Sequence, residues 1–256
     1  GFGYVILTHP SPPMTDQTER ALETLFLLLA HESDYLATGG RCFFLNARTH
    51  PRLSRYPGLV CEQTFKPDAD RLAAQGLTVA EDIAGTFPLG LYLPGRQHDE
   101  ILWHFARAMD LLDPGGVLVC AMPNTLGARR YESLLAQLAG GVESLSKHKC
   151  RAFRATKTPA LDRTQLDRWH AAGRMQPILE GRFVSAPGIF GWNRIDPGSQ
   201  LLIRHLPPDM AGNGADLGVG FGTLGDYLLR QCPDITALDA YETDRRALGA
   251  ARHNLG

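Results

Sequence analysis

Apolar residues recur along this chain in two periods, one helical and one extended. A short apolar run, Gly3 to Thr8, leads into Pro10-Ser11-Pro12-Pro13, which neither a helix interior nor a central strand accommodates. Leu22, Leu25, Phe26 and Leu29 then predict an amphipathic helix with Thr15 as its cap. Gly39-Gly40 ends that segment, and residues 41–47, Arg-Cys-Phe-Phe-Leu-Asn-Ala, read as a buried strand. Further strands are expected at 58–63, 90–93 and 117–121, and helices at 68–75 and 101–112, with Asp113-Pro114-Gly115-Gly116 halting the last helix. Alternation of this kind predicts an α/β fold, a mostly parallel sheet covered by helices on both faces.

The turn after the first strand, Asn46-Ala47-Arg48-Thr49-His50-Pro51, lacks glycine, so no cofactor is expected on this first sheet. The loop Pro94-Gly95-Arg96-Gln97-His98 is a candidate functional loop, weighed against a plain exposed connection. Residues 176–194, broken by Pro177, Pro187, Gly188 and Gly191, read as a link between two halves, with Phe190 and Trp192 packing where the halves join. The expected domains are therefore 1–180 and 181–256.

A different turn stands near the end of the chain. Asp216-Leu217 leaves an apolar strand, Gly218, Gly220 and Gly222 follow at every second position, and Asp226-Tyr227-Leu228-Leu229-Arg230 enters a helix. Glycines there allow a sharp bend and a close approach of a ligand to the backbone. Gly220-Phe221-Gly222-Thr223-Leu224-Gly225 also spells the dinucleotide pattern G-x-G-x-x-G, and Glu242, ending the next strand, suits the ribose of either cofactor. Asp216 tips the balance, because a carboxylate facing the turn repels a pyrophosphate and attracts the cationic end of S-adenosylmethionine. An NAD(P)-binding oxidoreductase stays as an alternative.

Together with Tyr241-Glu242-Thr243-Asp244 and the helix to Asn254, Asp-Leu-Gly-x-Gly-x-Gly resembles motifs I and II of class I S-adenosylmethionine-dependent methyltransferases. Pro187-Gly188-Ile189-Phe190 and 195–202, Ile-Asp-Pro-Gly-Ser-Gln-Leu-Leu, together with Ser146-Lys147-His148-Lys149, resemble the bacterial ribosomal RNA guanine-N2 methyltransferases of the small-subunit methyltransferase C type. The resemblance runs through roughly the second half of the chain.

It implies a methyltransferase-like N-terminal domain without a cofactor turn, followed by the start of a second, S-adenosylmethionine-binding Rossmann-like domain. On it, Gly218, Gly220 and Gly222 let the cofactor cross the turn, Asp216 holds its amino group and Glu242 its ribose. Ser199 and Gln200 become candidates for the methionine end, against a plain helix-capping role. The implied partner is ribosomal RNA or a small-subunit particle. The family's Asn-Pro-Pro-Phe motif is absent from these 256 residues, so no catalytic residue is assigned and the chain is expected to be incomplete and inactive alone. A methyltransferase of proteins or small molecules, and a non-catalytic RNA-binding fragment, share these features.

Residues 146–157 carry a basic alternation: Lys147, Lys149, Arg151 and Phe153 share one parity, with Arg154 on the other. As a single strand they would show cations on one face. With Arg163, Arg168, Arg174, Phe153 and Trp169 they suit RNA phosphates and an unstacked base, or else a lysine-guarded edge strand. The net charge of −1 leaves any nucleic-acid contact to such local patches. Five scattered cysteines without a C-x-x-C pair argue against a disulfide framework or zinc site. No run reaches the ~18 apolar residues of a membrane span, nor is there a signal-peptide pattern, so a cytoplasmic protein is expected.

Overall fold

A computed structural model describes residues 2–3, 16–29 and 40–256. The cap at Thr15 and the run Pro10 to Pro13 lie outside the described residues. The chain divides into two compact units: an N-terminal unit of residues 10–63 and 67–172, and a C-terminal unit of 1–9, 64–66 and 173–256.

The N-terminal unit is built on seven strands: β2 (Arg41–Leu45), β3 (Gly58–Glu62), β4 (Thr78–Ala80), β5 (Phe87–Tyr92), β6 (Leu112–Pro123), β7 (Glu143–Lys147) and β8 (Cys150–Thr156). Their order is β4-β3-β2-β5-β6-β8-β7, the first five parallel and the last two antiparallel. The period-two pattern of β2 shows why it is central, since both of its faces are apolar. Cys42 and Phe44 join Leu22, Leu25 and Phe26 of helix α1 (Asp16–Leu29) in one core. Phe43 and Leu45 join the opposite core, with residues of α3 (His98–Leu111), α4 (Ala128–Ala139) and α5 (Arg163–Gly173). Helix α2 (Lys66–Ala74) adds Leu72 to the first core. In β5, a Cβ on Gly90 would lie 2.1 Å from Phe43 Cζ, so only glycine fits beneath that ring.

Three expectations change here. Residues 146–157 form a hairpin, because His148 and Lys149 both adopt positive φ (54° and 58°) and reverse the chain between β7 and β8. The cations therefore do not line one face. Phe153 and Trp169 lie in the core at 0% and 2% exposure, where they cannot stack on a base. Helix α4 adds to the expected elements, starting at a left-handed Gly127 with no side-chain cap to announce it.

The C-terminal unit holds a parallel sheet in the order β1 (Phe2–Gly3), β12 (Ile235–Tyr241), β11 (Gly212–Leu217). It also holds helices α6 (Pro197–His205), α7 (Thr223–Gln231) and α8 (Arg245–Leu255). The stretch expected as a link is folded: β9 (Gln176–Ile178) and β10 (Phe183–Ser185) pair antiparallel. Ile178, Phe183 and Ile189 pack with Phe221, Ala247 and Ala250, and Trp192 borders that core. Phe190 is instead 77% exposed. All five cysteines are buried and free, and among the described residues no helix is long and apolar enough to cross a membrane.

Candidate functional site

Parallel pairing of β11 with β12 sets Leu217 opposite Tyr241. Asp216 and Glu242 thus reach the same carboxyl edge, separated by the turn that follows β11. That turn is anchored by two bonds to one carbonyl: the N–H groups of Gly218 and Val219 donate to Tyr241 O at 2.9 and 3.0 Å. Gly222 N then donates to Val219 O, and Asp226 N to Gly222 O, opening α7.

The glycines divide into two kinds. Gly218 (φ 91°) and Gly220 (φ 56°) have no atom within 4 Å of where a Cβ would stand, so the backbone there is bare. At Gly222 (φ 105°) a Cβ would meet Leu255 Cγ at 3.2 Å, and at Gly225 it would meet Leu255 Cδ1 at 2.9 Å. These two serve the close packing of α7 on α8.

Glu242 holds the turn. Its Oε2 accepts from Gly220 N at 2.9 Å, and its Oε1 accepts from Thr243 N, Thr243 Oγ1 and Asp244 N at 2.6, 3.1 and 3.1 Å. Asp216 is the unusual member: 7% exposed, with its Oδ2 buried and without a hydrogen-bond partner among the described residues. Burial raises its pKa, the neighbouring Glu242 carboxylate raises it further, and a backbone N–H of Gly225 works the other way. A buried, half-satisfied carboxyl costs free energy unless a cation or donor completes it.

Two positioning groups escape the sequence reading. Asn254 Oδ1 accepts from Val184 N at 2.8 Å, while its Nδ2 donates to Val184 O at 2.9 Å and Phe221 O at 2.7 Å. One side chain thereby ties β10 to the glycine turn. Asp226, buried at the start of α7, pairs with Arg182 and, at 2.7 Å, with Arg230. The i,i+4 spacing of Asp226 and Arg230 is visible in the sequence; the partner in the hairpin is not.

Ser199 and Gln200 lie in the first turn of α6, and the cap is neither of them. Asp196 accepts from Gly198 N at 2.8 Å and Ser199 N at 3.2 Å, with Pro197 at the first helical position, a signature legible in Asp-Pro-Gly-Ser. Gln200 Nε2 folds back onto Ile195 O at 2.9 Å. Of the basic candidates, Lys147 and Lys149 are exposed at the hairpin tip. Arg151 is held by Glu132 at 2.6 Å and Arg154 by Glu143 at 2.8 Å, on opposite faces of β8.

A bare-backbone bend between parallel strands with a carboxylate at the end of each is the arrangement at which Rossmann-like folds take nucleosides. Residues 180–256 match the methyltransferase small domain family. The chain is 30% identical over 174 residues to ribosomal RNA small subunit methyltransferase C of Aeromonas hydrophila, covering 64% of this chain and 50% of that protein. It is 26% identical over 170 residues to the protein of that name from Psychromonas ingrahamii, covering 64% and 47%. The chain thus spans about half the length of the curated relatives it matches. Among solved structures it resembles the T. thermophilus 16S rRNA N2 methyltransferase (RsmC) in complex with AdoMet and guanosine, with a TM-score of 0.67, 23% identity, and coverage of 87% of this chain and 65% of that one. The fold is that of Rossmann-like methyltransferases, and the resemblance to the small-subunit methyltransferase C type holds.

Proposed function

We propose that this chain carries the S-adenosylmethionine turn of a methyltransferase acting on ribosomal RNA, with the exocyclic N2 of a guanine as acceptor. The observation that carries the cofactor is the unpartnered, buried Oδ2 of Asp216 beside the bare backbone of Gly218 and Gly220. A positively charged ligand group completes that carboxyl, whereas a diphosphate would add a charge of the same sign. Glu242 offers a charged acceptor to ribose hydroxyls, in exchange for part of its bonding to the turn. S-adenosylmethionine, when bound, supplies an already activated methyl group, so the protein's share is to align donor and acceptor. The acceptor class rests on the names of the matched relatives.

On this reading residues 181–256 carry the cofactor site, with Ser199 and Gln200 near the methionine end. The N-terminal unit is a methyltransferase-like domain that docks or supports the RNA, with Lys147 and Lys149 meeting phosphates. Titration calorimetry on the full-length polypeptide tests the site. Glu242→Ala should weaken S-adenosylmethionine by about 1–3 kcal/mol, and tighter binding of a nicotinamide dinucleotide than of S-adenosylmethionine would sink the reading. Alanine at Lys147 and Lys149 should lower RNA affinity and shallow its salt dependence by about one unit of slope for each phosphate no longer neutralised.

A further inference from the structure

The N-terminal unit contains a second crevice, independent of the glycine turn. In its sheet the chain passes from β2 outward through β3 and β4, then returns to the other side of β2 as β5. The loops leaving β2 and β5 therefore diverge, and an open α/β sheet forms its ligand crevice at such a switch point, outside the carboxyl ends of the strands. A cavity of about 200 Å³ lies there, lined by Asn46 and Arg48 after β2, Pro94 and Arg96 after β5, and Pro123 and Leu126 after β6, with Gln17 and Thr18 of α1 also on its wall.

Its walls are prebuilt. Asn46, in the left-handed region at φ 52°, donates through Nδ2 to Leu93 O at 2.7 Å and so joins the two diverging loops. Its Oδ1 accepts from Arg48 at 2.9 Å, and Arg48 is fixed from behind by Asp68 at 3.2 Å. Asp68 is also engaged by Arg71, so its charge is spent away from the cavity. Glu100 stands beside Gly95 and is not part of the lining. Arg96 is exposed, with no ion pair among the described residues. Pro94, Pro123 and Leu126 supply flat apolar wall. Because β7 runs parallel to β6 across β8, the exposed Lys147 and Lys149 also stand on this edge of the sheet, with Arg129 and Arg130 at the start of α4.

We infer that this crevice is a nucleotide subsite, with Arg96 meeting the phosphate and the proline-lined wall meeting the base. The size decides against a whole cofactor, because 200 Å³ falls below the roughly 300–1,000 Å³ of clefts for drug-sized ligands. One phosphate and one base are the ligand chemistry, arriving on an RNA strand or as a free mononucleotide.

Calorimetry of the chain with adenosine 5′-monophosphate and with a hexaribonucleotide tests this. Binding of both admits the free nucleotide; binding of the hexamer alone assigns the site to RNA. Arg96→Glu should weaken either ligand at least tenfold with an unchanged melting temperature. Arg204→Glu, the same charge change on the exposed last turn of α6 in the other unit, should stay within twofold. The inference is overturned if neither ligand binds, if Arg96→Glu binds as wild type, or if Arg204→Glu loses as much as Arg96→Glu.

Discussion

The strand ends at Leu45 and Leu217 make an instructive pair. Each ends its strand opposite the last residue of a parallel neighbour, and in each the N–H two residues on donates to that last residue's carbonyl, Ala47 to Glu62 and Val219 to Tyr241. The register sets Asn46 against Gly218, both left-handed, Gln63 against Glu242, and Phe44 against Asp216. Gln63 even copies the gesture of Glu242 toward its turn, donating to Ala47 O at 2.8 Å where Glu242 accepts from Gly220 N. The backbone course is shared; the charge and the bare surface are not. What separates the proposed cofactor turn from its counterpart, on this comparison, is two carboxylates and the missing Cβ atoms.

The largest effect should follow from imposing one turn's chemistry on the other. Phe44→Asp places an unpaired carboxylate where Phe44 is fully buried, and should cost more than about 4 kcal/mol, read as loss of the N-terminal unit's cooperative unfolding transition. Gly218→Ala should cost about 1–2 kcal/mol, because nothing obstructs the methyl group and only the left-handed backbone resists it. Unchanged stability in urea would show that the bend tolerates a side chain and weaken the contrast with Asn46.

The smallest effect, and the sharpest test of the pairing, is Asp216→Asn. Burial raises the folded-state pKa of Asp216, so the folded protein keeps this proton to higher pH than the unfolded chain does. The associated stability is full below the ordinary carboxylate range and is lost as pH rises through the raised value. Above that window Asp216→Asn should be the more stable protein by about 1 kcal/mol, a rise of about 2–4 °C in Tm. Wild-type affinity for S-adenosylmethionine should fall as pH drops through the same window, and the variant should bind weakly throughout. A Tm difference independent of pH would detach Asp216 from this account.

Most of the sheet was legible because apolar period and strand length agree in β2, β3, β5 and β6. The hairpin at 148–149 was not, since a two-residue left-handed reversal is usually signalled by Asn-Gly and is here His-Lys. The edge strand β4, one exposed and two half-buried residues, leaves too short a pattern to read. In the site, Asp216, Gly218, Gly220 and Glu242 were visible because their chemistry is local to two motifs. Asn254 and Arg182 were hidden because their partners lie 70 and 44 positions away, a distance no periodicity spans.

The aromatic ring at position 44 also limits what substitution there can achieve. It is packed in the core beneath α1, so an acid introduced there alone would be eliminated by misfolding before it could serve any ligand. An apolar side chain seated at such a strand end works as a ratchet: the surrounding loops can adapt to guests of many kinds far more readily than a charge can be installed beneath them.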